Sequence, residues 1–339
     1  MLVGMPLMAC ISTGELFAIC GSCLATGRTV SVTMNSQLLS RIVDQNQHHA
    51  FLLGSVPFKS SERAVDFMFE HPWLIPSWPE LIRDTEKDSM IARAEKALEP
   101  SWSGYVESEA EGFYAFHERL QEVSPIPPLV KCQLPGPLTL ALYSKSMEGE
   151  LTERLDLTMH AVLRQIEWQH RLLSRNGVGL LFVLDEPGFI DWPHLSSESK
   201  SILNEIYSYL FVRVSELRSH FGVHSCQGFS FDFLDFPLEF LSFDCLSHSF
   251  EEIFSEDTLP KWQAAANRGL VLGFGVFPSC CDSELEEACN AGREYLAKLE
   301  KYFTEGNCSL SWLWSATCGH AFASEDWLNV LYNENHRVL

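Results

Sequence analysis

The chain has 339 residues, of which 46% are hydrophobic, so it is long enough for two ordinary domains or for one (β/α) barrel with insertions. Its 45 acidic residues outnumber its 24 basic ones, which gives a formal net charge of −21. This surplus of negative charge opposes binding to phosphate backbones and anionic lipid headgroups, and we therefore exclude nucleic acid and membrane surfaces as partners.

Eleven cysteines are scattered along the chain, an odd number that is more typical of reduced thiols than of a disulfide framework. We therefore expect a cytoplasmic protein. The first basic residue is Arg28, so the apolar start lacks the charged region of a signal peptide, and polar residues at 12–15 interrupt it. We interpret residues 1–45 as an N-terminal extension and residues 46–339 as a single domain.

From residue 46 onwards, short apolar runs alternate with longer amphipathic segments. The first run, 51–57, is followed by a predicted helix over 61–70. A second run, 73–81, is weaker as a strand because Pro76 and Pro79 interrupt it. Further helices are predicted over 86–98, 109–123, 152–176 and 198–220. Further strands are predicted over 130–134, 179–184, 223–228, 240–245, 270–277 and 310–314.

Eight strand candidates, most of them separated by helices, indicate a parallel sheet that closes into a (β/α)8 TIM barrel. The run 179–184 is apolar throughout, as expected of a strand buried on both faces. Active-site groups of this fold lie at the C-terminal ends of the strands. The reactive residues found at those ends are Ser55, Gln133, Asp185, Glu186, His224, Cys226, Asp244 and Cys318.

His224 and Cys226 lie two residues apart at a strand end, so both side chains point to one face. With Cys318 they supply three ligands of the kind that a catalytic zinc ion takes, and Asp244 is the candidate for a fourth. Sulfur ligands suit a zinc ion that holds a substrate thiol as the thiolate, ready to attack a methyl carbon. The alternative is that the cysteines are small buried apolar side chains and His224 a core histidine.

Seven motifs, in chain order, carry a resemblance to a known family. They are GSVP at 54–57, VKCQLPGP at 130–137, LDEP at 184–187, VHSC at 223–226, LSFD at 241–244, GFGVFP at 273–278 and TCG at 317–319. In these motifs the chain resembles the catalytic C-terminal barrel of cobalamin-independent methionine synthase. Uroporphyrinogen decarboxylase and the corrinoid:thiol methyltransferases belong to the same wider group. The resemblance covers roughly residues 50 to 331, and it is strongest to a single-barrel branch.

This resemblance implies a Zn²⁺ cofactor held by His224, Cys226, Asp244 and Cys318. It also implies that Ser55 and Asp185 hold the amino-acid part of homocysteine, in a reaction of methionine biosynthesis. We assign catalytic roles to Asp185 and His224, and we add two neighbouring residues to the substrate-binding set, namely Gln133 and Glu186. Since adjacent strand residues face opposite ways, only one of the Asp185–Glu186 pair is expected to enter the site. The alternative for Glu186 is a carboxylate at a helix N-terminus or in an ion pair under the loop.

Two departures from the family pattern concern the metal and the methyl donor. Asp244 stands where the synthases have a glutamate, and Cys245 and His248 are rival ligands close by. The N-terminal barrel of the long synthases has no counterpart here, so the donor is left open among a folate, a corrinoid protein and another methylated compound.

The preferred hypothesis is a zinc-dependent methyltransferase that acts on a homocysteine-like thiol. The alternatives are a uroporphyrinogen decarboxylase-like enzyme, a corrinoid-dependent methyltransferase and a catalytically inactive binding protein of the same fold. A decarboxylase of that type uses basic groups to hold substrate carboxylates. Basic residues are scarce near the strand ends, the main ones being Lys59, Arg83 and Lys131.

Overall fold

The computed structural model describes residues 38–46, 48–83, 89–174, 177–280 and 285–335, which contain ten β-strands and eleven α-helices. The strands are β1 Ala50–Phe51, β2 Ser55–Val56, β3 Leu74–Ile75, β4 Glu80–Leu81, β5 Leu129–Pro135, β6 Gly179–Asp185, β7 His220–Ser225, β8 Phe240–Asp244, β9 Val271–Phe277 and β10 Trp312–Ala316. The helices are α1 Leu38–Gln45, α2 Ser61–Glu70, α3 Met90–Glu95, α4 Glu111–Glu122, α5 Pro137–Tyr143, α6 Leu151–Leu173, α7 Ser197–Glu216, α8 Phe250–Ile253, α9 Leu259–Asn267, α10 Leu285–Glu305 and α11 Glu325–Glu334.

Eight of the strands form one parallel sheet in the order β3-β1-β10-β9-β8-β7-β6-β5. Its two edges approach each other, because Ser77 forms a parallel bridge with Lys131 and the Lys131 amide donates to the Pro76 carbonyl at 2.8 Å. Proline has no amide hydrogen to donate, but this contact uses only the carbonyl of Pro76. The interrupted run can therefore still pair with β5. The predicted (β/α)8 TIM barrel is confirmed, with β2 and β4 forming a separate two-stranded sheet.

The period of two along each strand separates an inner from an outer layer of side chains. On β6, Leu181 and Val183 belong to the inner cluster, whereas Leu180, Phe182 and Leu184 belong to the outer cluster that packs against the helices. The inner cluster comprises Leu39, Val43, Phe51, Leu53, Ile75, Leu129, Leu181, Val183, Phe240, Val271 and Leu313. Because these apolar residues come mostly from the first halves of the strands, the inward positions near the strand ends are left to polar groups.

Helix α1 packs at the N-terminal end of the barrel. Its buried residues Leu39 and Val43 are four apart, so they share one helix face, and they join the inner cluster beside the first residues of β5, β8 and β9. The sequence predicted an N-terminal extension over residues 1–45, but its last part, residues 38–45, is built into the core. Residues 1–37 lie outside the described residues, so the extension stays a prediction for that part of the chain.

The predicted helix over 61–70 is confirmed at both ends, and the Ser60 hydroxyl caps it by accepting from the Arg63 amide. The helix predicted to reach residue 220 ends at Glu216 instead. Arg218 adopts a positive φ of 55°, and strand β7 begins at His220. None of the helices in the described part of the chain is long and apolar enough to cross a bilayer.

Candidate active site at the barrel mouth

Polar side chains replace apolar ones at the inward positions where the central strands end. Asp185 continues the inward series of Leu181 and Val183, and His224 is its neighbour in register on β7. His224 is in turn paired in register with Ser242 on β8. All three of these polar residues are buried. The barrel therefore brings together at one end the Asp185 and His224 that the sequence placed at separate strand ends.

Cys226 and Cys318 meet at this mouth although they follow different strands, β7 and β10. The side chains of Cys226 and Cys318 lie close enough to interact. This interaction lowers the pKa of Cys318 to about 7, because it stabilises the thiolate, and with burial it raises the pKa of Cys226. The pairing of two thiols from distant parts of the sequence is the most specific feature of the site.

His224 is held as a neutral imidazole with one free nitrogen. Its Nδ1 lies 3.0 Å from the Ser242 hydroxyl oxygen, whereas its buried Nε2 has no hydrogen-bond partner. Burial, and then the positive charge of Lys131, lower the pKa of His224 to about 3. In the tautomer that donates from Nδ1 to Ser242, the lone pair on Nε2 is available, which is the form that binds a metal ion.

The donor set of this mouth suits zinc in its chemistry, with two sulfurs in contact and one unpartnered imidazole nitrogen. The distances between these side chains, however, do not meet the requirements of a metal site. Among the residues that the structure describes, no three side chains of His, Cys, Asp or Glu lie close enough together to hold a metal ion. Binding of zinc at His224, Cys226 and Cys318 therefore requires a local movement of side chains, and the predicted ligand set stays a prediction.

Asp244, the predicted fourth ligand, uses both of its carboxylate oxygens in the loop that follows β8. Oδ1 accepts from the Leu246 amide at 2.7 Å, and Oδ2 accepts from the Ser247 hydroxyl. Of the two rival ligands, Cys245 faces the outer hydrophobic cluster and away from the mouth. His248 is half-buried in the same loop, and its Nε2 has no partner.

A buried network of charged groups lies beneath the mouth. Lys131 is fully buried, and its Nζ donates to Gln133 Oε1 at 2.6 Å. Glu80 forms a buried ion pair with Arg93 and, like Asp185, lies within electrostatic range of Lys131. Burial raises the pKa of Asp185 well above its usual range, and Lys131 opposes that shift. Among the described residues, Asp185 Oδ1 has no hydrogen-bond partner, so it is available to bind another group.

Two glycines allow the predicted substrate-binding residues to approach the mouth. A Cβ on Gly319 would come within 2.0 Å of the Ser55 hydroxyl, and a Cβ on Gly54 within 1.9 Å of the Gln133 amide nitrogen. Gly54 also has a φ of +91°, which favours glycine. Ser55 therefore lies against the loop that carries Cys318. The Gln133 amide is held on both sides, by Lys131 and by the Trp78 carbonyl.

Glu186 is part of the framework under the mouth. Its carboxylate accepts from the amides of Leu138 and Thr139, at 3.1 and 2.8 Å, and from the hydroxyls of Thr139 and Tyr207, both at 2.5 Å. Glu186 is therefore a carboxylate at a helix N-terminus, one of the two alternatives predicted from sequence, here at the start of α5. With its lone pairs used in this way, Glu186 has little left for a substrate.

Three residues of the site were either not identified from the sequence or not assigned their role there. Ser242 orients His224, and its inward position follows from the period of two that already gives Asp244. Lys131 shares the inward face of β5 with Gln133 for the same reason. Tyr143, at the end of α5, lies within electrostatic range of Cys226 and contacts Asp191 at 3.4 Å. No sequence pattern signals that last contact, because it joins two separate loops.

No protein-family model matches the chain, and no curated protein matches it. Among solved structures, the chain is similar to one described as a structure of two fungal β-1,4-galactanases. The identity is 9%, the TM-score is 0.35, and the match covers 87% of this chain and 90% of that chain. At this identity and TM-score, the likeness bears on neither the fold nor the activity.

Proposed function

We propose that the protein is a zinc-dependent methyltransferase that moves a methyl group onto a thiol of the homocysteine type. The observation that carries this proposal is the proximity of the interacting Cys226 and Cys318 side chains at the mouth where His224 Nε2 is unpartnered. Thiolates and a neutral imidazole are the ligands of thiol-activating zinc. The resemblance to the cobalamin-independent methionine synthase barrel points to the same chemistry.

In this proposal His224, Cys226 and Cys318 hold the zinc ion, with Asp244 or a substrate atom as the fourth ligand. When bound, zinc keeps a coordinated thiol in the thiolate form at neutral pH. The chain contributes orientation: Ser242 fixes the imidazole ring, and the interaction with Cys226 already favours a thiolate at Cys318.

The same proposal gives Asp185 and Ser55 the task of holding the substrate. A buried carboxylate with one unpartnered oxygen is costly unless a partner arrives, and the ammonium group of an amino acid is a suitable partner. Lys131 lies below and favours the ionised form of Asp185. Ser55, beside the Cys318 loop, is placed to orient the rest of the substrate. Gln133 supports the site by holding Lys131.

The decarboxylase alternative is less well supported by these contacts. It requires free basic groups to hold several substrate carboxylates. Lys131 is fully buried and donates to Gln133, and Arg83 is ion-paired with Glu111 at 2.6 Å. A corrinoid-dependent methyltransferase would use the same thiol and metal site and differs only in the donor, whereas an inactive binding protein would transfer no methyl group.

The experiment is metal loading followed by methyl transfer. Protein stripped of metal and reloaded with zinc is assayed for methylation of homocysteine thiol with several labelled donors. We expect zinc-dependent product, with loss of activity and of bound zinc in Cys226→Ser and Cys318→Ser. Cys280→Ser, which changes an exposed cysteine of the loop after β9, is the matched control and should keep both. Absence of stoichiometric zinc from the parent protein would remove the proposal.

A further inference from the structure

The rim of the barrel mouth consists of the loops that follow the strands. Most of these loops carry acidic and apolar residues but no lysine or arginine. This holds for the loops after β6, β7, β8 and β10, at residues 186–196, 226–239, 245–258 and 317–324. The first lysines on the helices that follow, Lys200 and Lys261, lie over the rings of Trp192 and Phe231, at 5.3 and 4.3 Å from the ring centroids. An anionic substrate would find no cation on these loops.

Large apolar side chains are exposed on three of these loops and at the end of α5. They are Tyr143 at the end of α5, Ile190 after β6, Leu246 after β8 and Phe322 after β10, the last with 76% of its surface exposed. The Tyr143 hydroxyl contacts the carboxylate of Asp191, so an aromatic ring and a negative charge lie side by side near Cys226. The faces of aromatic rings attract cations, and quaternary ammonium ligands are recognised in this way, while the nearby carboxylate adds a negative charge.

A second observation points to a cationic ligand independently of the rim. Asp185 is 7% exposed, is directed inward at the end of β6, and has an unpartnered Oδ1. A cation bound near this carboxylate would offset part of the cost of burying it, whereas an anion would add to that cost.

We propose that the mouth binds a small onium cation, either a sulfonium or a quaternary ammonium compound, and that this cation is the methyl donor. The donor role rests on the proposed function, while the binding of the cation does not. The cation would lie between the Tyr143–Asp191 pair and the thiol site, with the apolar rim around its methyl groups. The negative field of the rim would raise the local concentration of such a cation and lower that of an anionic folate.

The transfer step balances without any redox partner. The substrate thiol first loses its proton to solvent. A lone pair of the thiolate sulfur then forms the new bond to the methyl carbon, while the bond from that carbon to the onium sulfur or nitrogen breaks. The bonding electrons stay on the leaving atom, so the donor departs as a neutral thioether or amine. One negative and one positive charge disappear together, which a buried site does not oppose.

Binding is tested first with choline and with 3,3-dimethylbutan-1-ol, its neutral isostere, by calorimetry on the full chain with and without zinc. We expect choline to bind and the isostere to bind at least about tenfold more weakly. Asp191→Asn and Tyr143→Ala should each weaken choline binding by about fivefold to tenfold. Asp156→Asn, which removes an exposed acid on α6, is the matched control and should leave binding unchanged.

Transfer is tested next with perdeuterated trimethylsulfonium, methylcobalamin and a triglutamyl methylfolate as donors to homocysteine. Choline binding together with transfer from the sulfonium would support both proposals. Choline binding without transfer from any donor would support the cation site and contradict the methyltransferase. No preference for choline over its isostere, or transfer from the folate but not from the sulfonium, would overturn the inference and leave the methyltransferase standing.

Discussion

The side chains of Cys226 and Cys318 interact across the mouth of the barrel. This interaction gives the two cysteines different reactivities in the metal-free protein. Because it stabilises the Cys318 thiolate, alkylation of Cys318 should rise with pH around a midpoint near 7. Removal of the Cys226 thiol in Cys226→Ala should move that midpoint upwards by one unit or more, roughly the effect of a hydrogen bond to a charged group.

Peptide-level mass spectrometry after brief iodoacetamide treatment at a series of pH values would measure both midpoints. Cys280, exposed in the loop after β9, serves as the internal reference, because its alkylation should be the same in the parent and the variant. Equal Cys318 midpoints in the two proteins would show that the two thiols do not interact.

Substitution of Glu186 should affect stability more than metal binding. Glu186→Gln removes the charge that four hydrogen bonds share at the start of α5, and we expect a loss of about 3 kcal/mol in the free energy of unfolding. The matched change Glu198→Gln, at an exposed acid in the first turn of α7, should cost less than about 1 kcal/mol. Urea denaturation measures both, and equal effects of the two substitutions would contradict the framework role.

The buried pair of Glu80 and Arg93 should behave differently from the exposed pair of Arg63 and Glu70. Arg93→Met leaves the Glu80 carboxylate buried without its partner, so we expect a loss of about 4 kcal/mol. Arg63→Met should cost less than about 1 kcal/mol, since water screens the exposed pair. Adding Glu80→Leu to Arg93→Met should recover part of the loss in urea denaturation. A double variant less stable than the single one would count against this account.

His48 should make the protein less stable in mild acid. Burial lowers the pKa of His48 to about 4, and neither of its ring nitrogens has a hydrogen-bond partner. Since the unfolded chain takes up the proton near pH 6.5 and the folded protein only near pH 4, the His48 contribution is complete above pH 6.5 and is lost as the pH falls towards 4. His48→Phe should remove up to about 1.4 kcal/mol per pH unit of this dependence. Parallel stability curves for the parent and the variant between pH 6.5 and 4 would contradict the shift.

Much of the fold could be predicted because each strand can be recognised from the residues of its own run. The run 179–184 is apolar without interruption, and it became β6, buried on both faces. The period of two predicted that only one of Asp185 and Glu186 enters the site, and the structure places Asp185 inward and Glu186 against the start of α5. The interrupted run 73–81 was the weakest strand prediction, and it split into β3 and β4 around Pro76 and Pro79.

Other features depend on contacts between distant residues, which a sequence pattern does not contain. Lys131 was counted as one of the few bases near the strand ends, but its surroundings, Gln133, Asp185 and Glu80, come together only when the barrel closes. Helix α1 belongs to no strand–helix unit, so its place in the inner cluster was not foreseen. The hydrogen bond of Asp244 with Ser247 likewise forms only in the folded loop.

The most direct test of the central claim is X-ray absorption at the zinc edge, on the zinc-loaded protein with and without homocysteine. The account predicts one zinc ion per chain, with two sulfur ligands and at least one imidazole nitrogen, and a third sulfur ligand when homocysteine is added. Loss of the sulfur signal in the double variant Cys226→Ser and Cys318→Ser would assign the two protein ligands. A zinc ion with no sulfur ligands, or a spectrum that homocysteine leaves unchanged, would contradict the proposal that this mouth activates a thiol.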